Sequence, residues 1–68
     1  MNAAILCVVI LLHTPDGKAI YVESTHIRTI RAPDHHCAPR SSALIQFDVG
    51  GSLCVMETPT EIQDKVHQ

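Results

Sequence analysis

The sequence predicts a mainly β domain of the α+β class. Two antiparallel hairpins form a curled four- to five-stranded sheet, with one short C-terminal helix. Three observations predict this. Apolar runs flank Thr14-Pro15-Asp16-Gly17 within Val8 to Glu23. A second pair of runs flanks Asp48-Val49-Gly50-Gly51 within Ala43 to Glu57. The third is Thr58-Pro59-Thr60-Glu61, a helix start. Consecutive hairpins make antiparallel pairing the expected arrangement.

The elements follow in order. Met1 to Ala4 reads as a lead-in and Ile5 to His13 as the first strand. In the first turn Pro15 presets φ at the first corner. Asp16 suits the second corner, and Gly17 takes the positive φ that closes the turn as a bulge. That register sets Leu12 opposite Ile20 and Ile10 opposite Val22. Val8, Ile10, Leu12, Ile20 and Val22 then share one wholly apolar face. Cys7, Val9 and Leu11 make the other face of the first strand apolar as well, so that strand calls for cover on both sides.

Ser24 is suited to cap a short helical turn, and Ile27 and Ile30 are placed to plug one end of the core. Ala32 to Ser42 is a loop, because two prolines, Asp34 and two serines break any period. The second hairpin, with Gly51 as its bulge, sets Phe47 opposite Leu53 and Ile45 opposite Val55. Its core face is Ala43, Ile45, Phe47, Leu53 and Val55. Leu44, Cys54 and Met56 fall on the opposite face. In the helix Thr58 is the N-cap, Pro59 takes the first helical position and Glu61 completes a capping box. Ile62 and Val66 form its narrow apolar stripe. The chain thus divides into a hairpin at 5–23, a turn and extended segment at 24–31, a loop at 32–42, a hairpin at 43–57 and a helix at 59–67. All lie in a single domain, 1–68.

Composition narrows the function classes. With 68 residues, one Phe, one Tyr and no Trp, the core must be small and aliphatic. A domain this size hides only about 60% of its unfolded surface, so it often needs a staple, a metal or a partner. Five Lys and Arg in a chain of net charge −2 argue against a nucleic-acid partner held through phosphates. Arg28, Arg31 and Arg40 read as a solvated rim, since no aromatics are interleaved for base stacking. Three cysteines, Cys7, Cys37 and Cys54, are an odd number without a CxxC pair. They read as reduced thiols of a cytoplasmic protein, with Cys7 and Cys54 as small buried apolar residues. The apolar run from Ala3 to Leu12 has no preceding Lys or Arg and is too short to span a membrane, so it reads as strand.

The order of signals resembles the small FlbD-type flagellar and SwrD-type swarming-motility proteins. The likeness is carried by Leu12 to Glu23, by His26-Ile27 with Ile30, and by Ile45-Gln46-Phe47, Gly50-Gly51 and Val55 to Thr58. It implies an accessory role in motility or regulation. It supplies no catalytic residues, and the loop bearing His and Cys departs from the pattern.

One stretch is chemically dense: Asp34-His35-His36-Cys37. Imidazole and thiolate are transition-metal ligands, which makes His35, His36 and Cys37 candidate metal ligands. Contiguous residues cannot easily close a tetrahedron around one ion, so such a site would need ligands from elsewhere. A Cys37 nucleophile paired with His36 would lack fixed geometry. No phosphate-cradling glycine motif and no paired catalytic carboxylates are present. The reading is therefore non-enzymatic, without a cofactor: a small interaction module. The alternative is a small ligand- or metal-binding protein using the 34–37 loop. A nine-residue helix cannot cover every apolar face left by the two hairpins, which points to a homo-oligomer, most simply a dimer.

Overall fold

The computed structural model describes residues 9–67. Strands β1 (Val9–His13) and β2 (Ala19–Glu23) are followed by a single 3-10 turn, Ser24–His26. Then come β3 (Ile27–Arg31), β4 (Ala43–Phe47), β5 (Ser52–Val55) and helix α1 (Pro59–Val66). The expected strand residues 5–8, including Cys7, lie outside the described residues.

The first hairpin has the register that its turn dictates, with Leu12 opposite Ile20 and Ile10 opposite Val22. Gly17 sits at φ 92° and its N–H donates to the Thr14 carbonyl at 2.8 Å. The Thr14 N–H in turn donates to the Lys18 carbonyl at 2.9 Å. The second hairpin uses the same device one residue earlier than expected. Its turn begins at Phe47, whose carbonyl accepts from Gly50 N–H at 3.2 Å, and Phe47 N–H reaches the Gly51 carbonyl. Ile45 therefore faces Leu53, and Ala43 faces Val55. Asp48-Val49-Gly50-Gly51 offers two glycines, at φ 92° and 86°, and either could serve the turn. The shift moves each partner by two residues, so the same side chains stay on the core face.

The strands divide into two sheets, β1-β2 and β3-β4-β5, in place of one continuous curled sheet. The compact 3-10 turn carries the chain from one to the other. Ser24 does not cap it by its side chain. Its carbonyl instead accepts from Ile27 N–H, and Glu23 stands at the cap position. The two clean apolar faces then meet. Ile10, Leu12 and Val22 join Ala43, Ile45, Val55 and Ile62 of the helix in one buried cluster, flanked by Ile20, Ile27, Ile30, Phe47, Leu53 and Val66.

Ile27 and Ile30 are three apart, yet both reach the core. A bulge explains this. Ile27 lies opposite Phe47 and Thr29 opposite Gln46, leaving Arg28 as the extra residue. The extra residue turns the strand over once, so Ile30 falls back onto the inner side opposite Ile45.

The helix starts as its sequence demands. Glu61 N–H donates to Thr58 Oγ1 at 3.1 Å, and Thr58 N–H donates to Glu61 Oε1 at 2.8 Å. This reciprocal pair satisfies two otherwise orphaned donors. His67 follows as the C-cap, and Ile62 is fully buried.

The outer side of the larger sheet holds the main correction. Cys37 and Cys54 are joined in a disulfide, with Cα atoms 5.7 Å apart. They are not the free thiols expected, and Cys54 is not a lone buried apolar residue. The register supplies the reason. Cys54 lies opposite Leu44 on the face turned away from the core, and loop 32–42 is tied to that face through Cys37. Leu44 is only 5% exposed although its neighbours Ala43 and Ile45 point the other way. A surface expected to need a second molecule is thus closed at Leu44 by the chain's own loop.

Candidate functional site

The 34–37 loop is built from a turn. Cys37 N–H donates to the Asp34 carbonyl at 3.1 Å, and His36 N–H donates to Asp34 Oδ1 at 2.9 Å. The carboxylate is therefore engaged in an Asx turn, which is the ordinary local role of Asp in loops. The His35 and His36 rings lie side by side, centroids 4.0 Å apart, and both residues are exposed. The Cys37 sulfur is bonded to Cys54, so no thiolate is presented there. Of the three candidate ligands, the two imidazoles share a surface and the sulfur is committed elsewhere. Among the described residues no group of three or more His, Cys, Asp or Glu converges on a point that could hold a metal.

A second cluster escaped the sequence reading because its members are 44 residues apart. His13 ends β1 and Glu57 follows β5. His13 N–H donates to Glu57 Oε1 at 2.9 Å, and His13 Nδ1 lies 2.7 Å from Glu57 Oε2. Next to them, Met56 N–H donates to the His13 carbonyl at 2.8 Å. Burial pulls the Glu57 carboxyl upward, but its hydrogen bonds from the His13 ring and backbone outweigh this and hold it below its ordinary value. The pair clamps the end of the smaller sheet to the end of the larger one. Arg40 and Glu61 border the same shallow recess. Its acceptors are used in the clamp and in the helix cap, which makes it a structural joint.

The third feature is an apolar groove of about 410 Å³ between β2 and the tip of the second hairpin. Ile20, Tyr21, Val22, Phe47, Val49 and Leu53 line it. Tyr21 and Val49 are among the exposed large apolar residues. One end of the groove carries His26, whose Nε2 lies 3.2 Å from Glu23 Oε2 and whose Nδ1 lies 3.5 Å from Asp48 Oδ1. Its signal in the sequence was the apolar surplus of the two hairpins, which was expected on the outer faces of the first strand and of Leu44, Cys54 and Met56 and not beside β2. The groove can hold apolar side chains, and it runs beside a strand whose outer side has no strand partner among the described residues.

No family model, no curated protein and no solved structure matches this chain.

Proposed function

We propose that this chain is a non-enzymatic interaction module that works as a homo-oligomer. Its role is accessory or regulatory, of the kind that the FlbD/SwrD resemblance implies. The observation that carries this reading is the apolar groove beside β2, a strand whose outer side has no strand partner among the described residues. Exposed apolar area beside unpaired backbone is what strand addition uses: backbone bonds supply affinity and adjacent pockets supply specificity. Nothing in this reading needs a nucleic acid or a cofactor. No described helix is long and apolar enough to cross a membrane. The Cys37–Cys54 bond favours an oxidising compartment over the cytoplasmic placement that the odd cysteine number suggested.

Sedimentation at micromolar concentration tests the reading: a species heavier than one chain is expected, and a compact monomer overturns it. The paired imidazoles of His35 and His36 support a second, weaker reading as a metal-binding surface. Zinc titration of the wild type against the double variant His35→Ala/His36→Ala decides it. Equal uptake by both removes that reading.

A further inference from the structure

We infer that β2 is the strand through which two copies of this chain join, antiparallel and with Tyr21 on the two-fold axis. The inference rests on the homo-oligomer reading above and adds the surface and the register. It follows from comparing the strand edges. The outer side of β1 is engaged at His13 by Met56 N–H and by the Glu57 carboxylate. β3 is interrupted by the Arg28 bulge and carries the exposed Arg28 and Arg31. β5 is only four residues long. Bulges, cations and shortness are the ordinary guards against unwanted pairing. β2 has none of them: it is five residues, Ala-Ile-Tyr-Val-Glu, in unbroken register.

The hairpin also fixes which backbone groups face outward. The Thr14 N–H bond to the Lys18 carbonyl starts an alternation in which Ile20 and Val22 bond to β1. The N–H and C=O groups of Ala19 and Tyr21 and the N–H of Glu23 therefore point to the open side, while the Glu23 carbonyl is taken up as the cap of the Ser24–His26 turn. An antiparallel copy centred on Tyr21 sets Tyr21 against the partner's Tyr21 and Ala19 against the partner's Glu23. The two Tyr21 residues then exchange both backbone bonds, and each Glu23 N–H donates to the partner's Ala19 carbonyl. The register is self-complementary, as a two-fold interface requires. It also keeps the two Glu23 carboxylates apart, each opposite a small neutral residue. Tyr21 is 72% exposed in the single chain and would gain an aromatic partner across the axis. The product is a four-stranded sheet in place of a two-stranded one, which is marginal on its own.

Tyr21 is the single tyrosine of the chain, which makes the test direct. Wild-type protein is photo-oxidised with a ruthenium trisbipyridyl complex and persulfate, and the dityrosine-linked dimer is quantified beside sedimentation of the untreated protein. Tyr21→Glu, which sets like charges directly opposite each other, is expected to weaken dimerisation by about tenfold or more while circular dichroism stays that of the wild type. A dimer that forms dityrosine and is weakened by this substitution supports the proposal. A dimer that forms none, or that Tyr21→Glu leaves intact, overturns the β2 assignment but leaves the homo-oligomer reading standing. A monomer overturns both.

Discussion

Gly17 and Glu57 show how single residues set this fold. Gly17 has open space where a Cβ would stand, so a substitution there meets no neighbour. The cost of Gly17→Ala is then purely that of φ 92° in an L-residue, about 1 kcal/mol in denaturant unfolding. Glu57 acts through its proton. Its folded-state carboxyl is held below the ordinary value, so as pH falls the unfolded chain takes up the proton first. The stability that this group contributes is complete above the ordinary glutamate pKa and is lost as pH falls through the folded value. Thermal melts should therefore show a fall in Tm below about pH 4.5 that Glu57→Gln flattens. At neutral pH the same substitution should cost about 1 kcal/mol, since the clamp keeps a neutral acceptor. Gly17 was legible because a Pro-Asp-Gly tripeptide states its own backbone conformation. The His13–Glu57 pair was not, because no local rule links residues 44 apart.

Elements were legible in proportion to how local their causes are. Helix α1 was placed to within one residue, because the reciprocal Thr58 and Glu61 bonds are written in four consecutive letters. Ile62, its one buried residue, joins the helix to the core. Ile62→Ala should cost about 3 kcal/mol in chemical unfolding, through lost burial and the cavity left behind. The second hairpin slipped by one residue because two adjacent glycines offer two turns of similar quality. Its core face survived only because the slip moved each partner by two. Loop 32–42 was read correctly as a loop and wrongly as one with a free thiol. A bond between Cys37 and Cys54 depends on which face Cys54 occupies and on where the loop travels, and spacing states neither. With a sequence separation of 17, this closure should be worth about 3 kcal/mol. Cys37→Ala/Cys54→Ala, or reduction by a dithiol, should lower the unfolding midpoint accordingly. It should also raise amide exchange at residues 34–41 before it does so in β4. A non-reducing peptide map that finds both thiols free would remove the staple.

At the level of the whole molecule, the fold class was legible and the division into two sheets was not. Both layouts satisfy the same apolar alternation. What separates them is the turn Ser24–His26: a short helical turn was expected there, but nothing local states that it carries the chain into a second sheet. The apolar surplus was expected on the outer faces of the first strand and of Leu44, Cys54 and Met56; Val9 is indeed 54% exposed, but the groove opens beside β2. The outer side at Leu44 is closed within the chain, whereas the side along β2 has no strand partner among the described residues. That distinction carries a prediction for the assembly. If copies associate, melting temperature should rise with protein concentration in the wild type, since association stabilises the folded state by mass action. In Tyr21→Glu the same rise should set in only at about tenfold higher concentration or more, while the Tm at high dilution is kept. Calorimetry across a hundredfold dilution series measures this.

Arg28 also limits how copies of this chain can meet. It is a supernumerary residue: Ile27, Thr29 and Ile30 already match Phe47, Gln46 and Ile45 without it. A chain lacking that one codon should keep its interior packing and lose the kink that blunts β3. It would then carry two smooth borders, one in each sheet, related by no symmetry axis. With β2 taken up in the two-fold pair, copies that join in turn through β2 and through β3 form an open row that does not close on itself. The deletion should therefore yield soluble, folded protein that thickens into filaments, visible by light scattering and electron microscopy.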